Sequence, residues 1–124
     1  MSVTIAQARD AEATDRILRG LPDWFGIEEA IDQYVRDTDD ERLDSIIAYD
    51  RQVPVGIGLV RWPQPRSAEV HLLAVEAGNR RSGIGALLIQ AVSDYARRHG
   101  AELLSVHGRT IVRERAIRTD STLL

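Results

Sequence analysis

The sequence predicts a single α/β domain on a mixed sheet, with elements in the order β-α-α-β-β-β-α-β. Three observations carry this. Apolar residues recur with a period near 3.6 in three segments and with a period of two in five others. The last strand follows a long helix, so it reaches the sheet by a crossover, the connection that parallel strands require. The chain has 124 residues, 44% hydrophobic and 28% charged, which fits one globular domain.

Residues 2–8 alternate apolar and polar, as a short strand does. Asp10 suits the N-cap of a helix reaching about Leu21, with Ile17, Leu18 and Leu21 on one side. Pro22-Asp23 ends it. In the second helix Ile27, Ala30, Ile31, Tyr34 and Val35 form one face. Thr38-Asp39-Asp40 closes it with turn residues. Residues 43–49 and 53–62 read as a hairpin around Asp50-Arg51-Gln52. Val55, Ile57 and Leu59 are expected on one face, with Gly56, Gly58 and Val60 on the other. Glycines inside a strand mark a bulge or a close backbone neighbour. Pro63 and Pro65 mark a loop. Residues 68–75 form a strong strand, with Glu69, His71, Leu73 and Val75 on one face and Val70, Leu72 and Ala74 on the other. A loop over residues 77–85 opens the clearest helix, where Ile84, Leu87, Leu88, Ala91, Val92, Tyr95 and Ala96 share a stripe. Gly100 stands where a C-cap glycine belongs, and Arg97, Arg98 and His99 suit the negative end of the helix dipole. Residues 102–107 are the final strand.

Composition excludes several functions. Sixteen Lys and Arg against nineteen Asp and Glu give a net charge of −3. That argues against non-specific nucleic-acid binding. The chain has no cysteine, which removes disulfides, thiolate zinc sites and a cysteine nucleophile. His99 and His107 have no ligand partners at suggestive spacing, so no metal site is expected. No apolar run approaches the roughly 20 residues of a membrane span, and residues 1–10 carry no signal-peptide pattern. A cytoplasmic protein without membrane or nucleic-acid partners is the expectation.

The chemistry concentrates in Arg80-Arg81-Ser82-Gly83-Ile84-Gly85, between a strand and a helix. A helix start leaves backbone N–H groups unpaired and carries about half a positive charge, a ready anion site. Gly83 and Gly85 remove side chains so that a phosphate can approach the backbone. Arg80 and Arg81 add charge-assisted donors, and Ser82 adds a hydroxyl. Gly78 and Gly83 have Walker A spacing, but Ile84-Gly85 replaces the lysine and hydroxyl. Gly83-Ile84-Gly85 is followed by Ala86-Leu87-Leu88, which breaks the dinucleotide fingerprint.

Arg80-x-x-Gly83-x-Gly85, after a strand ending Leu73-Ala74-Val75 and before Ala86-Leu87-Leu88, resembles motif A of the GCN5-related N-acetyltransferases, the GNAT superfamily. The order of the earlier elements agrees, so the resemblance covers about residues 3–107. It implies acetyl-CoA as co-substrate. The backbone amides of Arg81, Ser82, Gly83, Ile84, Gly85 and Ala86, with Arg80 beside them, would hold its pyrophosphate. The backbone of Leu73, Ala74 and Val75 would pair with the pantetheine like an added strand. In the family a β-bulge splays this strand from its neighbour to admit the thioester. The implied activity is N-acetyl transfer to a primary amine of a small molecule or a protein, by positioning and electrostatics without a covalent intermediate.

An acceptor amine must lose a proton. Within the resemblance, Glu69 in Ala68-Glu69-Val70 stands where some members carry a general-base glutamate, and strand alternation puts it on the face of Val75. The other reading of Glu69 is a solvated strand-end carboxylate. His71 shares that face and is the second candidate, since imidazole titrates near neutrality. A water chain would make neither essential. Trp24 and Phe25, beside Pro22 and Gly26, either wall the acceptor pocket, as that loop does in the family, or pack in the core. Tyr34 is expected in the core.

The resemblance also implies a further helix and a strand pair after residue 108. Arg115-Ala116-Ile117-Arg118 matches the opening of that helix, but Thr119 and Asp120 stand where an aromatic pair belongs. The tyrosine that often protonates the departing CoA thiolate has no counterpart here. Residues 1–108 thus read as the domain and residues 109–124 as its divergent or truncated tail. The strand at 102–107 would then expose an unpaired edge. A frameshift or early stop, a homodimer in which a second subunit supplies strands, and a non-catalytic CoA-binding or interaction module each account for this. The last is the alternative to an enzyme.

Overall fold

The computed structural model describes residues 2–23, 25–79, 83–112, 115–116 and 121–123. Along them run β1 (Val3–Gln7), α1 (Ala11–Arg19), α2 (Glu28–Thr38), β2 (Asp44–Asp50), β3 (Val53–Gln64) and β4 (Ser67–Val75). A 3-10 turn (Ala77–Asn79), α3 (Ile84–Arg98) and β5 (Leu103–Val112) follow. Two short strands, β6 (Arg115–Ala116) and β7 (Ser121–Leu123), come last. The expected element order is found, with β6 and β7 added.

The sheet runs β1-β2-β3-β4-β5, antiparallel throughout except for the parallel β4–β5 pair that the α3 crossover produces. Two cores sandwich it. On one face Ile84, Leu88, Val92, Tyr95 and Ala96 of α3 pack on Ile46, Val60, Val70, Leu73 and Val75. On the other, Ile17 and Leu18 of α1 and Ile31 of α2 meet Leu43, Ile57, Leu59, Leu72 and Ala74. Each fully buried Leu or Ile contributes about 2 kcal/mol by apolar burial. Asp10 caps α1 as expected, its carboxylate accepting the Ala13 N–H at 2.9 Å. Two expected core residues are exposed. Ile27 is 62% exposed because it is the extended N-cap of α2, outside the helical period. Leu87 is 50% exposed because it lies beside the stripe that Ile84, Leu88 and Val92 make every fourth residue.

The strand glycines mark close approach of a helix. A Cβ on Gly58 would lie 3.1 Å from Val92 Cγ2, and one on Gly56 would lie 3.3 Å from Leu88 Cδ2. The β2–β3 hairpin turns on Arg51 and Gln52, both left-handed at φ 52° and 72°, with Asp50 paired to Val53. Such a turn favours Asn-Gly, because a side chain at positive φ costs about 1 kcal/mol. Gln52→Gly is therefore expected to stabilise the domain by about 1 kcal/mol, measured by urea unfolding. β3 continues through Pro63, where the sequence predicts a loop. Proline is tolerated there because the β3–β4 register jumps from Arg61↔Glu69 to Gln64↔Ser67.

Simple alternation fails at two bulges. Ala48 pairs with Gly56 and Tyr49 with Pro54, so Val55 is an extra residue. It joins the α3 core, whereas Ile57 and Leu59 face α1 and α2. Likewise Leu59 pairs with Leu72 and Val60 with Val70, so His71 is extra in β4. Ala68, Val70, Leu73 and Val75 consequently face α3, while Leu72 and Ala74 face the α1–α2 layer. Glu69 and Val75, expected on one face, lie on opposite faces.

The expected open edge on β5 is also corrected. β5 extends to Val112, and β7 returns antiparallel along it, with Leu103↔Leu123, Leu104↔Thr122 and Ser105↔Ser121 in register. β6 pairs with its far end, Ile111↔Ala116 and Val112↔Arg115. An edge of unpaired N–H and C=O groups takes up the nearest extended segment, and here that segment is the chain's own tail. The edge through which a homodimer is expected to form is thus occupied over residues 103–105.

Candidate active site

β4 leads into the start of α3, and Gly83 makes the junction. Its φ is +84°, the left-handed region that a glycine enters without strain. The first helical bond runs from the Leu87 N–H to the Gly83 carbonyl at 3.1 Å, so the preceding amides of α3 have no partner within the helix. Gly83 offers no capping side chain, and the first turn holds no acidic residue, which leaves the positive end of the helix unneutralised. A Cβ placed on Gly83 would meet nothing within 4 Å. A helix start with no side-chain cap and open space at Gly83 fits a phosphate-bearing group. Ile84 and Gly85 are buried and Ala86 is exposed. Arg80, Arg81 and Ser82 lie outside the described residues.

β5 does not splay from β4 at the bulge. Pairing resumes at Leu72↔Arg109 and Leu73↔Thr110, after a register shift in which two β5 residues, His107 and Gly108, stand opposite the single residue His71. The β4 backbone beyond that register is Ala74 and Val75, one residue shorter than the expected segment of Leu73, Ala74 and Val75.

Across the sheet from α3 lies a cleft of about 540 Å³, lined by Gln33, Asp37, Asp40, Arg42, Leu43, Arg61, Trp62, Pro63 and His71. Helical spacing brings Gln33 and Asp37 together, and the bulge turns His71 toward them. Asp37 Oδ2 lies 2.8 Å from His71 Nε2, and Gln33 Nε2 donates to Asp37 Oδ1 at 2.8 Å. Arg36 Nη2 donates in turn to Gln33 Oε1 at 3.0 Å. The Tyr34 ring stands edge-on to His71 at 5.4 Å, and Phe25 stands edge-on to Tyr34 at 5.9 Å. At the rim, hydrogen bonds from the Arg42 side chain and backbone hold the Asp40 carboxyl down at about 2. Arg9 anchors the same wall. Its guanidinium donates to the carbonyls of Thr38 (2.8 Å), Asp40 (3.0 Å) and Leu43 (2.5 Å). A hollow of about 290 Å³ between β1 and α3 contains none of the predicted site residues.

The structure separates the two predicted bases. Glu69 is 9% exposed and faces Arg61, whose Nη1 is 3.7 Å away. It is a buried, ion-paired carboxylate rather than a solvated strand end. His71 keeps 24% of its side chain exposed and lines the cleft. Phe25 is 3% exposed and packs in the α1–α2 core, which supports its packing reading. Trp24 lies outside the described residues. Sequence reasoning missed Asp37, which is 9% exposed. One signal was present: Asp37 follows Ala30 and Tyr34 at i+7 and i+3 on the buried stripe of α2, where a carboxylate needs a partner.

The sequence matches the Acetyltransferase (GNAT) family over residues 11–119. No curated protein matches it. Among solved structures, a GNAT-family protein from Desulfovibrio desulfuricans superposes with a TM-score of 0.78 at 17% identity, over 89% of this chain and 76% of that one. The PaiA N-acetyltransferase of Thermoplasma acidophilum, in complex with coenzyme A, gives 0.71 at 16% identity, over 88% and 80%. The ribosomal-protein-S18-alanine N-acetyltransferase of Escherichia coli gives 0.73 at 16% identity, over 87% and 68%. Among the described residues no helix is long and apolar enough to cross a membrane, and no three His, Asp or Glu gather as a metal site.

Proposed function

The chain belongs to the acetyltransferase (GNAT) family, and on that premise we propose that it moves an acetyl group from acetyl-CoA to a primary amine of a small molecule or a protein. One observation carries the reading. β4 presents His71 to a polar cleft and leads, at its far end, to an uncapped helix start with open space at Gly83. In this reading one strand links the acceptor cleft to the donor site.

In this reading the amides of Gly83, Ile84, Gly85 and Ala86 hold the pyrophosphate against the positive end of α3. Arg80, Arg81 and Ser82 add donors from the preceding loop, and the β4 backbone beyond the β5 pairing, Ala74 and Val75, flanks the pantetheine. Bound acetyl-CoA supplies an activated acyl carbon with a thiol leaving group. The cleft binds the amine and aligns it, the main source of acceleration in a direct transfer. Glu69 and His71 are the candidate proton acceptors. The coenzyme A complex and the N-acetyltransferase names among the structural neighbours support the donor and the amine acceptor. Calorimetric titration with acetyl-CoA tests the donor: saturable binding below about 1 mM is expected, and no binding at several millimolar would overturn the reading.

A further inference from the structure

We propose that Asp37 is a positioning residue that fixes His71 as the Nε2–H tautomer, leaving Nδ1 to take the proton of the acceptor ammonium. The proposal rests on the acetyl-transfer reading above and assigns the proton acceptor within it.

A hydrogen-bonded chain sets the polarity. Arg36 has only donors, so its bond at 3.0 Å fixes Gln33 Oε1 as the acceptor and turns the Gln33 amide nitrogen toward Asp37. The Asp37 carboxylate has only acceptors. It receives Gln33 Nε2–H at Oδ1 and therefore requires a hydrogen on His71 Nε2 at Oδ2, 2.8 Å away. A neutral imidazole with Nε2–H carries its lone pair on Nδ1. Among the described residues Nδ1 has no hydrogen-bond partner, and His71 lines the cleft. Tyr34, edge-on to the ring, restrains its rotation. Glu69 lacks this arrangement, since it is buried and Arg61 faces it.

All the protons of the reaction are then placed. One ammonium proton passes to Nδ1 and on to solvent, and the freed nitrogen lone pair attacks the acyl carbon. As the C–N bond forms and the C–S bond breaks, the sulfur leaves with the C–S electron pair. A second nitrogen proton ends on it as the thiol, and the third stays on the amide.

Asp37→Asn tests the chain. With Gln33 still donating, the introduced carboxamide must turn its oxygen toward Gln33 and its NH2 toward His71. His71 Nε2 then has to accept, and the ring switches to the Nδ1–H tautomer. Long-range proton–nitrogen spectra of the whole chain at about pH 8 should show Nε2–H in wild type and Nδ1–H in Asp37→Asn. kcat should fall about 100-fold or more, with KM for acetyl-CoA unchanged. In the double variant Gln33→Leu/Asp37→Asn the carboxamide oxygen is free to face His71, so the Nε2–H tautomer and part of kcat should return. An Nε2–H tautomer retained in Asp37→Asn, an unchanged kcat, or no return in the double variant would overturn the proposal. A wild-type protein that shows the Nε2–H tautomer and binds acetyl-CoA but acetylates no amine would instead overturn the transfer reading, and with it the acceptor role.

Discussion

Gly83→Asp is expected to weaken acetyl-CoA binding about 100-fold or more while changing stability by less than about 1 kcal/mol. The two effects separate for physical reasons. At φ +84° aspartate is among the few side chains tolerated, at a cost of about 1 kcal/mol. Its Cβ meets nothing within 4 Å, and an aspartate at the N-cap contributes roughly the same amount by accepting a first-turn N–H. The strain and the cap offset each other. For an anion the change is large, because the new carboxylate neutralises the positive end of α3 and occupies the open space. Two like charges about 4 Å apart near a surface repel by about 4 kcal/mol, so a loss of about 100-fold, about 2.7 kcal/mol, is a modest expectation. Calorimetry with urea unfolding on the same sample checks it. Unchanged affinity in a folded variant would move the donor site away from α3.

Arg9→Met is expected to destabilise the domain by about 2–3 kcal/mol, measured by urea unfolding. Arg9 donates to three carbonyls, those of Thr38, Asp40 and Leu43, which lie at the end of α2 and in the turn to β2. Hydrogen bonds from a charged donor contribute about 1.5–3 kcal/mol each, but the freed carbonyls regain water, so the three do not add fully. Methionine keeps the apolar stem and isolates the loss to the guanidinium. Asp40, Arg42 and Leu43 line the cleft, so KM for the amine should rise while acetyl-CoA affinity holds. A loss under about 0.5 kcal/mol, the range of ordinary surface substitutions, would show that the turn is held by its other contacts.

Much of this architecture is readable from the chain itself, and what is not has identifiable causes. Helices and strands appear because their apolar periods differ. Gly83 and Gly85 stand out because a strand followed by a glycine-rich helix start admits few purposes. The bulge at His71 does not appear, because one inserted residue leaves a strand looking apolar and alternating on both sides of it. That single insertion reverses the facing of Glu69 relative to Val75 and sends His71 toward α2. Asp37 is hidden for a different reason: its partner lies 34 residues away on another element, and only the packing of α2 on the sheet brings them together. Arg9 is similar, an ordinary residue between a strand and a cap whose role is set by three distant carbonyls. Gly83 is legible because sequence pattern and local backbone agree there, whereas Asp37 emerges from the geometry.

Passage of acetyl groups from acetyl-CoA to an amine held in the α2–β4 cleft is best tested by release of free thiol. The assay uses the whole chain with a panel of primary amines and amino-terminal peptides, and mass spectrometry identifies the products. Thiol release is expected to depend on the amine and to match, mole for mole, a product heavier by one acetyl group. In His71→Gln it is expected to fall about 100-fold. Saturable acetyl-CoA binding with no acetylated product from any amine, or thiol release unaffected by His71→Gln, would contradict this chemistry.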